Sequence, residues 1–343
     1  VTIPGELLLS DTQYFIVASG PAVSGAPVSK MIPFHAVPKN NVKRLNPGHV
    51  YRKTIRTLGY GRYPSFRDEL VSEELYNGKF FENVNGSIVE THITPAGDFV
   101  PGTKPYLGLV PMSGARQLNI HMLSGDRIIS YYQVGVNAFY QQGAVDFYNN
   151  KFVANGPTLQ VLAVDVNSNA TVIVGGNRLY QANGNVIAVV DITNTGLVHT
   201  VANDIALPTG VTSLATMCRG AGDTILIVPT GGTTIQSLDL ANNTYTDKYT
   251  LPVPFRNRKL SQRQLLNGDV LIWKPIFYEI VNGVGVTETS LELLYIDNKL
   301  GTMVSITPYA GRTHNVLASV LRGSGELLLI EANPTGPNVL VFE

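Results

Sequence analysis

The feature that most constrains this chain is a unit that recurs five times: an apolar run, a tight polar turn and a second apolar run. It reads NIHMLSGDRIISYY, QVLAVDVNSNATVIVGG, LATMCRGAGDTILIVPTGG, RQLLNGDVLIWKP and NVLASVLRGSGELLLIEA. The turns fall at Gly125-Asp126, Ser168-Asn169, Gly222-Asp223, Gly268-Asp269 and Gly325-Glu326. Gly or Asn supplies the positive φ of a short hairpin turn. Successive turns lie roughly 43 to 57 residues apart, a period of stacked repeat units. The run after each turn is nearly continuous in apolar residues, which suits a strand covered on both faces. Helix signals are poor. The best, at 65–79, has Ser65 as a cap and Asn77-Gly78 as a stop, enough for one or two turns. The chain therefore reads as all-β, with many short strands.

Composition limits the function. Of 343 residues, 44% are hydrophobic, enough for a large core. Only 15% are charged and the formal net charge is zero, which argues against a nucleic-acid partner. Solubility must come from Asn, Thr, Ser, Gln and Gly, a pattern common in secreted modules and in parts of large assemblies, and less so in cytosolic enzymes. One cysteine, Cys218, excludes an intramolecular disulfide and is expected as a small buried strand residue. The first residues lack a basic segment followed by an apolar core, so no secretory signal is expected there. On that basis the sequons at Asn85, Asn169 and Asn242 read as accidental. No apolar run approaches the roughly 18 residues of a membrane helix.

Further features recur in register. Gly175-Gly176 and Gly231-Gly232 are each expected after the second strand of a repeat, and Tyr295 to Asp297 form a Tyr-Asp turn two strands after Gly268-Asp269. A Gly-acid hairpin, a double Gly, a Tyr-Asp turn and a later aromatic together resemble the kelch-type β-propeller over residues 110–343. The double Gly is missing after DVLIWKP and ELLLIEA, and Trp273 lies in a hairpin strand. The resemblance implies a propeller of six four-stranded blades, with five or seven as alternatives, and leaves function open.

The N-terminal third is less regular. Residues 19–46 are rich in Pro, Gly and Ser and read as an extended arm. The propeller is expected over 47–343, with an irregular first blade at 47–110 built on strands around Asn85-Gly86. The pentapeptide GELLL occurs at 5–9 and again at 325–329. After the second copy the last blade has residues for a third strand but not a fourth. The strand pair at 1–18 is expected to supply it, closing the ring and removing an exposed edge.

Motifs for chemistry are sparse. No pair among His35, His49, His92, His121, His199 and His314 has metal-ligand spacing. Phosphate-binding, dinucleotide-binding and nucleophile-elbow signatures are missing. No catalytic residue, cofactor or metal is expected. His121 and His314 fall in first strands and read as packed, hydrogen-bonded residues. Arg116, Arg258 and Arg312 each precede the first strand of a repeat, so symmetry would gather them near one mouth, where they could bind a carboxylate or phosphate. Arg52, Lys53, Arg56 and Arg62, interleaved with tyrosines, form a second basic cluster, expected as an intersubunit or intramolecular salt-bridge surface.

The functional expectation is a non-enzymatic structural or interaction component of a large assembly, a virus or phage particle foremost. The arm would dock on neighbouring protein subunits. The alternative is a carbohydrate-binding or carbohydrate-processing propeller, with Tyr131, Tyr132, Tyr140 and Tyr148 as glycan platforms.

Overall fold

The computed structural model describes residues 13–21, 27–35, 53–56, 72, 79–84, 87–94, 99–109, 116–123, 126–134, 137–161, 171–251, 261–265, 268–273, 278–281, 284–287, 293–306, 316–321, 327–331 and 338–342. The expected helix at 65–79 lies outside them, apart from Ser72 and Lys79. The described residues are almost wholly β-structure.

Strands β1 (Gln13–Pro21) and β2 (Pro27–His35) pair with each other as a hairpin. After β3 (Lys53–Arg56), three strands form an antiparallel sheet: β4 (Lys79–Val84), β5 (Ser87–Ile93) and β6 (Phe99–Pro105). Five four-stranded blades follow. The first holds β7 (Arg116–Met122), β8 (Arg127–Val134), β9 (Asn137–Asp146) and β10 (Lys151–Ala154), with β11 (Leu159–Val161) continuing the outer edge on β9. The second holds β12 (Thr171–Val174), β13 (Arg178–Asn183), β14 (Val186–Thr193) and β15 (Gly196–His199), with β16 (Ile205–Ala206) on β14. The third is β17 (Leu214–Arg219), β18 (Thr224–Pro229), β19 (Thr234–Asp239) and β20 (Thr244–Thr250).

The fourth blade opens with β21 (Ser261–Gln264) and β22 (Val270–Trp273). A separate hairpin, β23 (Tyr278–Val281) with β24 (Val284–Thr287), precedes its outer strands β25 (Leu294–Asp297) and β26 (Thr302–Ser305). In the fifth, β27 (Val316–Leu321), β28 (Leu327–Glu331) and β29 (Asn338–Phe342) are completed by β3.

The chain is thus an all-β propeller with five four-stranded blades, one of the counts the repeat pattern allowed beside six. The strands expected to make an irregular first blade at 47–110 separate. Residues 79–105 form the three-stranded sheet, whose Phe81 and Ile88 pack with Ile120 and Ile128 of the first blade. Lys53–Arg56 instead pairs antiparallel with β29, Val339 opposite Ile55. Ring closure therefore uses an N-terminal strand, but β3 takes the place expected for residues 1–18. Residues 1–12 lie outside the described residues, and 13–18 are paired within the β1–β2 hairpin.

The second blade differs in phase from its reading. β12 is its innermost strand, and Gly175-Gly176 lies in the turn to β13, both glycines at positive φ. Gly231-Gly232 follows the second strand of the third blade, as expected. The two double glycines are therefore not equivalent. Inner and second strands are both covered on two faces, so their apolar runs look alike.

The core lies between blades. On β18, Ile225 and Ile227 pack toward the second blade with Val172, Ile187 and Met217, while Leu226 and Val228 pack toward the fourth with Val270 and Ile296. All four β18 residues are essentially inaccessible. Each such side chain contributes about 1.5–3 kcal/mol by leaving water. Cys218 is buried in the third-to-fourth seam and in no disulfide, as its neighbours predicted.

The turn from third to fourth strand repeats one device. Asp146 accepts hydrogen bonds from the backbone N–H groups of Tyr148 and Asn149, Asp239 from that of Ala241, and Asp297 from those of Lys299 and Leu300. Thr193 does this in the second blade, accepting from the Thr195 N–H. Each side chain caps backbone donors left free by the turn.

Candidate functional site

Of the basic residues singled out in the sequence, only Lys53, Arg56 and Arg116 fall among the described residues. Lys53 and Arg56 lie on the outermost strand of the fifth blade, opposite Val341 and Asn338. Arg116 opens β7, the innermost strand of the first blade, opposite Gln133. These three thus sit at the outer edge of one blade and the inner edge of another. Arg52, Arg62, Arg258 and Arg312 lie outside the described residues, as do His49 and His314.

The tyrosines expected to receive a glycan are mostly internal. Tyr131, Tyr132 and Tyr140 are buried, and the rings of Tyr131 and Tyr140 stack with centroids 4.4 Å apart. The Tyr140 hydroxyl meets Thr171 Oγ1 at 3.0 Å and donates to Gln181 Oε1, which also accepts from Thr171 at 2.7 Å. This network ties the first blade to the second. Burial pushes the Tyr131 phenol up to about 12 and Tyr140 well above its ordinary range. These rings serve the seam, and Tyr148 is the one of the four that stands in solvent.

His121 is buried, as expected of a packed strand residue, but its Nε2 makes no hydrogen bond. His199 Nε2 lies 2.9 Å from Asp204 Oδ1, which also accepts the Val189 N–H at 3.1 Å, so this pair fastens the outer edge of the second blade. Among the described residues no three His, Cys, Asp or Glu side chains come together as metal ligands. No helix among them is long and apolar enough to cross a membrane.

The surface that stands out is the outer edge of the first blade. The segment leaving β6 runs beside β10: the Leu107 N–H donates to the Asn150 carbonyl and the Phe152 N–H to the Leu107 carbonyl, both at 2.8 Å. Leu107 is thereby fixed beside Lys151 of β10, and Leu107, Tyr148 and Val153 on this edge are 64%, 85% and 54% exposed. The patch is braced from within. Phe81, Tyr106 and Phe147 form an aromatic triangle beneath it, with centroids 5.1 to 6.3 Å apart. Glu90 accepts the Tyr106 hydroxyl at 3.4 Å and binds Lys79 at 2.5 Å. The cap by Asp146 presents Tyr148 outward, and the Asn149 side-chain amide, followed by its backbone N–H, holds the Asp146 carboxyl below its usual range. Gly143 makes room for Phe152, since a Cβ there would stand 2.3 Å from the Phe152 ring. Sequence reading named Tyr148 but missed Leu107 and Val153, because isolated apolar residues in strand-forming runs give no sign of facing solvent.

Such an edge can bind by apolar contact. An exposed tyrosine on a backbone fixed by a turn provides a large contact area with few rotatable bonds to order.

No family model matches the chain, the kelch family's included, and no curated protein matches its sequence. Solved structures do match in shape. A protein of unknown function from Bacteroides thetaiotaomicron aligns over 94% of this chain and 80% of its own, with TM-score 0.49 and 9% identity. The WD40 repeats of RRP9 align over 85% and 98%, with TM-score 0.44 and 9% identity. A putative 6-phosphogluconolactonase from Bacteroides fragilis aligns over 78% and 82%, with TM-score 0.47 and 9% identity. The assignment of this chain as a β-propeller rests on its own strand order and blade packing.

Proposed function

We propose that the chain is a non-enzymatic interaction component of a larger protein assembly, with the propeller as docking platform. One observation carries this reading: the exposed, internally braced trio Leu107, Tyr148 and Val153 on the outer edge of the first blade. Buried aromatic anchors surrounded by neutral contacts dominate protein interfaces, and Tyr148 has the exposure and support of such an anchor. Low charge, zero net charge and a surface rich in Asn, Gly and Thr support an assembly of many subunits, with a virus or phage particle as the first candidate. The tie between Asp269 and Tyr295 supports a kelch-like repeat as the unit of the platform.

The test is solution mass over a wide concentration range, for the wild type and for Leu107→Asp/Tyr148→Asp. The proposal expects association that the double substitution abolishes while the chain stays folded. A wild type that remains monomeric, together with a clear hit on a glycan array, would favour the carbohydrate-binding alternative.

A further inference from the structure

We propose that the seam between the first and second blades is acid-sensitive: protonation of His121 opens it ahead of the rest of the ring. The argument starts from strand alternation. On β7, Ile120 and Met122 pack toward the three-stranded sheet, whereas Leu123 packs with Ile129 in the first-to-second seam. His121 lies directly opposite Ile129 and therefore faces the second blade. It is 8% exposed, and its Nε2 has no hydrogen-bond partner. A neutral imidazole is tolerated there at modest cost, but an imidazolium without an acceptor is not.

Among the described residues that face offers the cation no counter-ion, and Gln142 Oε1, the acceptor without a hydrogen bond on the same cross-strand row, is uncharged. From the second blade, β12, β13 and β14 present Ile173, Leu179, Val190 and Ile192 to the seam. From the first blade, the titratable groups on this face are Tyr131 and Tyr140, both held neutral by burial, and Arg127, a second cation whose Nη2 lies 3.4 Å from the Thr193 carbonyl. The charged groups farther out are already engaged. Asp146 caps its own turn with Lys151 beside it, and Asp204 is paired with His199. Among the described residues no carboxylate is left to face His121.

Burial accordingly lowers the His121 pKa from 6.5 to about 4. An opened seam takes up the proton at higher pH than the closed one. Closure is therefore fully favoured above about pH 6.5, weakens as pH falls, and gains no further penalty from this group below about 4. Over that window the equilibrium shifts toward opening by roughly 300-fold. The seam is also where opening is easiest to localise. Its middle is the polar Tyr140–Thr171–Gln181 network, whereas the seams flanking the third blade are built on Ile, Leu and Val. Polar seams lose less on hydration than apolar ones, which suits local opening.

Hydrogen exchange at pH 7 and pH 4.5, corrected for intrinsic rates, tests this on the whole chain. In the wild type, protection in β7, β12 and β13 should fall at least tenfold more than in β17 to β19. In His121→Asn and His121→Leu that difference should vanish, and either variant that folds gives the answer. A wild-type seam that responds no more than the third blade would overturn the proposal. So would a folded His121 variant that keeps the acid response.

Discussion

The tie inside the fourth blade gives the sharpest test of how the repeat works. Asp269 sits in the Gly-acid hairpin and is fully buried. Its Oδ2 accepts from the Tyr295 hydroxyl, and its Oδ1 accepts the Asn298 N–H at 3.0 Å. The Asn298 side chain donates to the Gly268 carbonyl at 2.7 Å and to the Arg219 carbonyl at 3.1 Å, so the tie reaches into the third blade. Hydrogen bonds to a charged group contribute about 1.5–3 kcal/mol each. Asp269→Ala removes two of them and leaves buried donors without this acceptor. Relief of the carboxylate's own desolvation offsets part of that loss, so the expected destabilisation is about 3–5 kcal/mol. Tyr295→Phe removes one bond and should cost about 1.5–3 kcal/mol.

The two residues touch, so their effects should not add. A double-mutant cycle by urea unfolding should give a coupling of about 1.5–3 kcal/mol. Asp239→Ala, which removes a solvent-exposed cap in the third blade, serves as control and should shift the midpoint far less. A coupling below about 0.5 kcal/mol would refute the claim that the hairpin acid and the Tyr-Asp turn act as one latch.

Three further outcomes follow from the same geometry. In β3, successive N–H groups point to opposite edges, so of Thr54→Pro and Ile55→Pro one breaks the ladder to β29 and the other does not; calorimetry should separate them by about 1–2 kcal/mol, and equal melting temperatures would deny β3 its closing role. Gly143→Ala should cost about 2–3 kcal/mol in urea unfolding, because its Cβ meets the Phe152 ring at 2.3 Å and the Val153 carbonyl at 2.5 Å. Gly176→Ala, at φ +72° with open space around it, should cost only about 1 kcal/mol. At high pH the raised Tyr131 and Tyr140 should destabilise the fold: the unfolded chain loses phenolic protons near pH 10, Tyr131 in the folded chain only near 12, so stability should decline above pH 10. Phenolate absorbance should show these two rings titrating with unfolding, not before it.

The architecture was legible because inner strands obey a strict physical demand. A strand such as β18, with Ile225 and Ile227 to one side and Leu226 and Val228 to the other, must be apolar throughout, and that run is visible in the letters. The phase of a blade was less legible, since Thr171–Val174 carries the same character whether it lies first or second from the axis. The closing strand escaped notice for a related reason. An outer strand has one neighbour, and Lys53–Arg56 reads as a basic surface segment, not as part of a ladder. Burial of aromatics was hidden too. Tyr131 and Tyr140 look like ligand platforms in sequence, and only strand register stacks their rings and places the Tyr140 hydroxyl against Thr171 and Gln181 of the next blade.

The blades resemble one another at their inner strands and differ at their outer edges, and this contrast bears on function. In the third blade the pairing skips Lys248, so a bulge places Tyr245 toward the second blade and Tyr249 toward the fourth. A bulge and a lysine blunt an edge against further pairing. In the second blade the outer edge is divided between β15 and β16 and fastened by the His199–Asp204 pair. In the fifth it is closed by a strand distant in sequence. The first blade also divides its outer edge, yet among the described residues it alone is extended by a further segment, that of Leu107, and this edge turns Leu107, Tyr148 and Val153 outward. Hiding Leu107 would need only a one-residue change of register, because neighbouring residues of an extended chain face opposite ways: Tyr106 is buried where Leu107 is exposed. Stability gains nothing from an exposed leucine and tyrosine on a backbone fixed this firmly, whereas a partner gains an anchor whose backbone is already ordered. If that is their use, Tyr148→Ala should leave the unfolding midpoint within about 0.5 kcal/mol of the wild type while abolishing association.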